Sequence, residues 1–180
     1  MPDVIINRLN CKGGEEMNVA IIGGGASGLV CAISMLQLAE KNNLPFRVTV
    51  LEEKNKIGKK ILATGNGKCN LTNLNALNHD YKNKRFTEKA MNAYPPEKVI
   101  SFFESLGLLT YTDSDGRVYP KSNTASAVLD SLRFETEKLG IEIICEIAVE
   151  SITKRNGVFV INGEFEAPKI LIATGGKASP

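Results

Sequence analysis

The stretch NVAIIGGGASG, residues Asn18 to Gly28, decides the fold. Its segment VAII is apolar without a break, as a parallel strand covered on both faces must be. After the glycines comes LVCAISMLQLAEKNN, which is apolar at helical spacing through residues such as Ile33 and Leu36. A second strand, FRVTVLE, then ends at Glu52. The order strand, glycine turn, helix and strand predicts an α/β fold with a parallel sheet.

The glycine turn indicates a dinucleotide site. Gly23, Gly25 and Gly28 occupy the glycine positions of the pattern G-x-G-x-x-G. In this pattern the first glycine permits a tight turn, the second lets the backbone approach a pyrophosphate, and the third allows helix and strand to pack closely. The phosphates are expected on the free N–H groups at the start of the helix, where Ala26 and Ser27 lie.

Glu52 has the position of the acid that accepts hydrogen bonds from a ribose, at the end of the second strand and a little over 20 residues beyond the turn. Its neighbour Glu53 is interpreted as a solvated side chain. Glycine turns also occur for purely structural reasons, but the ordered strand, turn, helix, strand and acid favour dinucleotide binding. The pattern does not separate a nicotinamide cofactor from FAD.

The C-terminal part of the sequence supplies further elements. Residues 123–140 read as a helix with a polar start and a glycine stop, and residues 141–145 as a strand. Three β-like runs follow at residues 149–155, 157–161 and 164–173, separated by Asn156-Gly157 and Asn162-Gly163, which are strong hairpin signals. A β-meander therefore returns the chain to the sheet, where a plain NAD domain usually has a helix. The last run leads into a second glycine turn, ATGG.

Composition restricts the class of protein. The chain has 180 residues, of which 43% are hydrophobic, and a net charge of +2, so it is expected to be globular and to bind neither nucleic acid nor membranes. No apolar run approaches the roughly 20 residues of a membrane span, and no signal peptide is recognised, which predicts a cytoplasmic protein. Cys11, Cys31, Cys69 and Cys145 are widely spaced, which predicts reduced thiols and no metal site.

The N-terminus has the character of an extension. Residues 1–16 are polar and irregular, and a second methionine, Met17, directly precedes the first strand. The codons for residues 13–16 must be purine-rich, so we expect them to overlie a ribosome-binding site, with Met17 as the natural start. Residues 17–180 are then the cofactor-binding domain.

Four segments together carry a resemblance to a known family: GGGASG, LEEKNKIGKKILATGNGKCNLTN, DGRVYPKS and ILIATGGKASP. From Met17 to Pro180 the sequence resembles the N-terminal half of a bacterial family of NAD(P)/FAD-dependent flavoproteins. That family includes aminoacetone-oxidase-like enzymes and a reductase of 3-dehydro bile acids. The resemblance implies a Rossmann-like FAD-binding domain of the glutathione-reductase type with a β-meander crossover, whose substrate domain the sequence does not contain.

The segment GKKILATGNGKCNLTN, Gly58 to Asn73, has neither a helical nor an alternating apolar pattern, which predicts an irregular loop. The resemblance implies that this loop runs along FAD toward the isoalloxazine ring. The residues expected to line the flavin are Thr64, Gly65, Asn66, Gly67, Lys68, Cys69 and Asn70. Glycines let backbone lie against a flat ring, and Asn side chains both donate and accept at its polar edge. The alternative interpretation is a Gly/Asn-rich surface turn.

The resemblance also implies further cofactor contacts, at Gly58, Lys60, Val149, Thr174, Gly175 and Gly176. Lys68 would place positive charge near the ring. Cys69 is interpreted as a packing residue rather than a redox thiol, while His79 and Arg117 are interpreted as solvated. No catalytic residue is assigned.

The function that the resemblance implies is that of an FAD-dependent oxidoreductase. It would transfer hydride or electrons between flavin and a small organic substrate or NAD(P)H, with the protein binding and tuning the cofactor. One alternative is a reductase that uses NAD(P) only. The other is a non-catalytic or incomplete fragment that needs a C-terminal polypeptide, since the family pattern continues beyond Pro180.

Overall fold

The computed structural model describes residues 17–78, 81 and 83–176. The predicted extension 1–16, His79 and the last four residues lie outside the described residues.

The helices and strands follow one another along the chain as an α/β mixture. The strands are β1 (Met17–Ile22), β2 (Phe46–Leu51), β3 (Thr72–Asn73), β4 (Thr110–Thr112), β5 (Arg117–Pro120), β6 (Glu142–Ile144), β7 (Ile152–Arg155), β8 (Val158–Ile161), β9 (Phe165–Ala167) and β10 (Lys169–Ile172). The α-helices are α1 (Ala26–Lys41), α2 (Lys59–Leu62), α3 (Lys84–Ala93), α4 (Pro96–Ser105) and α5 (Ala125–Lys138). Short 3₁₀ turns span Thr64–Gly67 and Ala76–Asn78.

The chain divides into two compact units. The first comprises the chain up to Lys59 together with the chain from Glu135 onward, and the second comprises Lys60–Phe134. That residues 17–180 form a single cofactor-binding domain stays a prediction.

The first unit contains a parallel sheet with the strand order β10-β1-β2-β6. In its register Ile22 lies between Leu51 on β2 and Ile172 on β10. Strand β1 thus occupies a central position and is buried on both faces, which explains its continuous apolar sequence. The predicted strands β1, β2 and β6 and the helix α1 between β1 and β2 are confirmed.

Alternate residues of β1 face two different layers, because successive side chains of a strand point to opposite faces. Ala20 and Ile22 belong to a buried cluster with Ile161, Phe165 and others from the region of the meander. Ile21, fully buried, lies on the other face, against the start of α1. The parallel sheet is therefore covered by α1 on one side and by strands β8 and β9 on the other.

The predicted meander is present as the antiparallel sheet β7-β8-β9. Both Asn-Gly pairs adopt positive φ, 50° and 84° at Asn156-Gly157 and 52° and 73° at the second pair, as two-residue hairpin turns require. One expectation was wrong. Residues 164–173 form two strands rather than one run, because Pro168, which has no N–H to donate, separates β9 in the meander from β10 in the parallel sheet.

These features together make a Rossmann-like α/β fold with a β-meander in the crossover position, as the sequence predicts. In the part of the chain that the structure describes, no helix combines the length and the apolar character needed to cross a lipid bilayer.

The second unit has its own antiparallel sheet, in the order β3-β5-β4. Val118 on the central strand β5 is fully buried, and it pairs with Thr72 on one side and Thr112 on the other. Asp113 closes the β4–β5 hairpin by accepting the N–H groups of Asp115 and Arg117 at 2.9 Å each. None of the strands and helices between residues 74 and 116 was predicted from the sequence.

Candidate dinucleotide-binding site

The carboxyl ends of the four parallel strands lie at one edge of the sheet, and the predicted site residues of the first unit follow these ends. The glycine turn follows β1, Glu52 follows β2, Val149 lies beyond β6, and residues 174–176 follow β10. Ligands of open parallel sheets bind at this edge, where the strand order reverses. Here the order reverses at β1, between β10 and β2, so the glycine turn lies at the reversal point.

Gly23 and Gly28 hold the turn together by close packing. Gly23 has φ 111°, and a Cβ atom there would lie 2.5 Å from the carbonyl oxygen of Ala173. A Cβ atom on Gly28 would overlap the carbonyl oxygen of Gly23. The first glycine is therefore required by the strand next to it, and the third by the contact between helix and turn. This agrees with the roles that the pattern predicts.

Gly25 has a different reason to be glycine. Its backbone is extended, with φ −82° and ψ −172°, so its conformation suits any residue. No heavy atom outside its own neighbourhood lies within 4 Å of the position of a Cβ atom. Since neither backbone nor packing within the described chain demands glycine, the open space beside Gly25 fits a ligand that approaches the backbone.

The start of α1 is suited to an anion. Gly25 is the N-cap residue, no side chain caps the helix, and the first turn contains no acidic residue. Ala26 and Ser27 are exposed. The N–H groups at the end of a helix carry partial positive charge and, without a cap, they lack an intrahelical acceptor. The geometry therefore provides what a pyrophosphate needs.

The carboxylate of Glu52 is fixed by two backbone N–H groups. Gly24 donates to Oε2 at 2.7 Å, and Lys54 donates to Oε1 at 2.8 Å. Each carboxylate oxygen has a second lone pair, so acceptor sites remain for ribose hydroxyls. Glu53, in contrast, is exposed and pairs with Lys54 at 3.1 Å.

Two neighbouring segments form backbone hydrogen bonds with the glycine turn and with Glu52. Gly58, buried and with φ 71°, donates its N–H to the carbonyl oxygen of Gly24 at 2.8 Å. The N–H of Ile147 donates to the carbonyl oxygen of Glu52 at 2.9 Å. Val149, two residues further on, is half-buried against the cluster that contains Ile22. The structure thus brings Gly58, Glu52 and the segment leading to Val149 together with the glycine turn.

Residues 174–176 lie on the other side of the turn. The N–H of Ala173 donates to the carbonyl oxygen of Ile22 at 2.8 Å, which continues the pairing of β10 with β1. Thr174, Gly175 and Gly176 are exposed, and Gly175 has φ 76°.

The remaining predicted residues, Lys60 and the flavin loop, lie in the second unit. The expectation of an irregular loop was wrong in part, since α2 and a 3₁₀ turn occupy much of it. Gly65 and Asn66 adopt left-handed conformations, with φ/ψ of 54°/40° and 53°/42°, and Gly67 and Cys69 have φ of 80° and 59°. A Cβ atom on Gly65 would lie 2.8 Å from the backbone nitrogen of Asn70, so the loop itself requires this glycine.

This loop is mostly open to solvent. The exposed members are Lys60, Thr64, Gly65, Asn66, Gly67, Lys68 and Asn70. Cys69 is buried and free, which agrees with a packing role. Contact of these residues with a flavin stays a prediction.

The remaining side chains considered for a chemical role are Arg117, the other cysteines and candidate metal ligands. Arg117 forms an ion pair with Asp115 at 2.8 Å in its hairpin. Burial raises the pKa of the Cys31 thiol. Among the described residues, no group of three His, Cys, Asp or Glu side chains is arranged to hold a metal ion.

A cleft of about 480 Å³ lies at the amino edge of the sheet, lined by residues that include Phe46, Arg47 and Gly140. It contains none of the predicted site residues and lies at the opposite ends of the strands from the glycine turn.

Sequence reasoning missed two residues that shape the site. Gly24 donates to Glu52, and Ala173 lies against Gly23. A signal for Gly24 was present, because the sequence has three successive glycines, Gly23 to Gly25, whereas the pattern needs only Gly23 and Gly25 among them. Nothing in the sequence identifies Ala173, since its contact joins residues 150 positions apart.

Two known proteins are similar in sequence to this chain. A 3-dehydro-bile acid delta(4,6)-reductase of Clostridium scindens is 39% identical over 166 residues, which cover 89% of this chain and 39% of that protein. A ribosomal RNA dihydrouridine synthase of Haemophilus influenzae is 29% identical over 169 residues, covering 89% of this chain and 40% of that protein. The chain thus spans about two fifths of the length of these curated relatives.

The structure is also similar in fold to that of BexE, described in a study of oxidation during BE-7585A biosynthesis. The TM-score is 0.52 at 16% identity, and the match covers 89% of this chain and 32% of BexE. The family model described as the HI0933-like protein Rossmann domain matches residues 17–180. The resemblance noted from the sequence motifs is therefore confirmed, and the chain belongs to the HI0933-like Rossmann domain family.

Proposed function

We propose that this chain is the FAD-binding part of a flavin-dependent oxidoreductase. The observation that carries the proposal is Gly25, which has open space where a Cβ atom would lie and caps a helix whose first N–H groups have no side-chain partner. Together with Glu52 at the end of the next strand, this turn has the features of a site for a dinucleotide.

The residues along the sheet edge suit the successive parts of the adenosine diphosphate half of FAD. The pyrophosphate would lie on the N–H groups at the start of α1, with Ala26 and Ser27. The ribose would donate hydroxyl hydrogen bonds to Glu52, one strand further along the sheet. The adenine would meet the backbone near Val149, one strand beyond that. Neighbouring strands lie about 4.8 Å apart, so this order matches an extended ligand across the edge.

When bound, FAD supplies the hydride or electron transfer. The chain's own residues bind and orient it, and none of the described side chains needs to act as a general acid or base in this role. We propose reduction as the direction of the reaction, because one of the two relatives described above is named a reductase and the other is named for dihydrouridine, a reduced nucleoside. NAD(P)H as the electron donor, and a polypeptide that completes the substrate site, are part of the same proposal.

We propose a small organic substrate and a cytoplasmic location. The relative that is 39% identical is named for a bile acid, while the one that is 29% identical is named for ribosomal RNA. A net charge of +2 gives this chain no strong attraction for a polyanion, which favours the small molecule.

The proposal is tested by titrating the purified chain with FAD and with ADP in a calorimeter. We expect saturable one-to-one binding of FAD and its displacement by ADP, because both ligands share the pyrophosphate and the ribose. An absence of saturable binding of either ligand at millimolar concentration would show that the proposal is wrong. Tighter binding of NADPH than of FAD would instead favour a reductase that uses NAD(P) only.

Replacing Glu52 with alanine is expected to lower the affinity for FAD and for ADP by about 10- to 100-fold. The variant loses a hydrogen bond to a charged group, which contributes roughly 1.5 to 3 kcal/mol. The measurement is the same calorimetric titration, carried out at a temperature at which circular dichroism shows the variant to be folded.

Glu53→Ala is the matched control, because Glu53 is exposed and its charge is adjacent in sequence. We expect its affinity to stay within about twofold of the wild type, as for most exposed substitutions. Equal losses in both variants would mean that Glu52 acts only through the net charge of the site.

A further inference from the structure

Gly24, the middle residue of the three successive glycines, lies outside the G-x-G-x-x-G positions, yet the structure gives it a demanding environment. A Cβ atom there would lie 2.6 Å from Cγ2 of Ile57 and 3.1 Å from Oε2 of Glu52. Its φ lies outside the left-handed region, so its backbone conformation does not require glycine. The requirement is for space beside the Glu52 side chain.

Both polar groups of Gly24 are used in the same small region. Its N–H donates to Oε2 of Glu52 at 2.7 Å, and its carbonyl oxygen accepts from the N–H of Gly58 at 2.8 Å. The N–H of Lys54 holds the other oxygen of the carboxylate at 2.8 Å. A long, flexible acidic side chain is thereby held in one orientation at the carboxyl edge of the sheet. Ordering it before a ligand arrives removes part of the entropy cost of binding.

We propose that Gly24 is a positioning residue that makes the site select a ribose with a free 2′-hydroxyl. It acts through Glu52, by donating one N–H to the carboxylate and by leaving the space that the carboxylate occupies. The inference rests on the proposed binding of FAD, and it goes further by assigning the discrimination between ribose and deoxyribose to a contact between two residues of the chain.

A methyl group on Gly24 must displace Cγ2 of Ile57, at 2.6 Å, and it also crowds the Glu52 side chain, at 3.1 Å from Oε2 and 3.2 Å from Cβ. Ile57 is buried and has to shift to admit the methyl group. The Glu52 carboxylate has to turn away as well, and it can do so because the end of the side chain is held by hydrogen bonds. Gly24→Ala is therefore expected to leave the pyrophosphate turn formed by Gly25 and the start of α1 intact while misplacing Glu52.

The experiment compares the dissociation constants of ADP and 2′-deoxy-ADP for the wild type and Gly24→Ala by calorimetry. The wild type is expected to prefer ADP by about 10- to 100-fold, the range that one hydrogen bond to a charged group provides. In Gly24→Ala the preference is expected to fall below roughly threefold, while the Kd of 2′-deoxy-ADP stays within about twofold. If Gly24 had a purely structural role, its substitution would weaken the binding of both nucleotides equally and leave the ratio of their dissociation constants unchanged.

A folded Gly24→Ala protein that keeps the wild-type ratio would overturn the inference. If Gly24→Ala does not fold, Gly24→Ala/Ile57→Ala is compared with Ile57→Ala, since removal of Cγ2 relieves one overlap and leaves the one with Glu52. Relative to Ile57→Ala, the double variant is expected to lose the preference for ADP over 2′-deoxy-ADP. An unchanged preference would again overturn the inference. Equal affinity of the wild type for both nucleotides would overturn it too, but would leave pyrophosphate binding in place. No binding of either nucleotide to the wild type would overturn the proposed function itself.

Discussion

Replacing Gly28 with alanine is expected to destabilise the folded state by about 2 to 3 kcal/mol. The new Cβ atom would overlap the carbonyl oxygen of Gly23, which is a backbone atom and cannot turn aside. The helical position works in the opposite direction, because alanine is favoured over glycine inside a helix by about 1 kcal/mol. The overlap is the larger effect. Urea unfolding monitored by circular dichroism measures the difference.

Gly25→Ala is the matched control for this prediction. Gly25 is three residues away in the same turn, and a methyl group there meets no heavy atom within 4 Å. Its stability is expected to fall by less than about 1 kcal/mol, because glycine is preferred to alanine at a helix N-cap. A Gly28→Ala protein as stable as Gly25→Ala would mean that the helix can shift away from the turn at little cost.

Replacing Gly25 with valine is expected to abolish measurable binding of FAD and ADP, with a loss of at least about 100-fold, while the fold stays intact. The extended backbone at Gly25 suits valine, and the chain leaves room for its side chain. The same room is where a pyrophosphate must approach the N–H groups of α1. A 100-fold loss corresponds to about 2.7 kcal/mol of binding free energy.

Calorimetric titration together with thermal unfolding separates the two effects. Ser34→Val is the control, since Ser34 is an exposed position further along α1 and tests the cost of one added valine on that helix. We expect Ser34→Val to bind ADP as the wild type does. Wild-type binding by Gly25→Val would remove the glycine turn from the site.

The fold could be predicted where the sequence signals are local. The uninterrupted VAII segment indicates a strand that is buried on both faces. The two Asn-Gly pairs indicate hairpin turns, because few other residues readily adopt the positive φ that these turns need. Such features depend on a few adjacent residues. The turn and the acid at the ends of β1 and β2 follow from the same kind of signal.

What the sequence did not predict depends on contacts between distant segments. The hydrogen bond from Gly24 to Glu52 joins residues 28 positions apart, and only the folded sheet places them together. The break at Pro168 sends β9 and β10 into different sheets, although the sequence from residue 164 to residue 173 reads as one β-like run. In the loop after Gly58, hydrogen bonds such as that from Thr64 Oγ1 to the carbonyl oxygen of Ile61 at 2.6 Å build turns that apolar periodicity cannot reveal.

The position of β10 beside β1 has a consequence for the synthesis of this protein. Strand β1 emerges from the ribosome before the other strands of its sheet and can pair with β2 soon afterwards, but its other neighbour, β10, lies about 150 residues later in the chain. At bacterial and eukaryotic elongation rates, that interval is roughly 8 to 30 seconds. Throughout it, one edge of β1 has no partner from its own sheet, and an unpaired strand edge is open to pairing with another chain. The pairing of β10 with β1 ends this exposure.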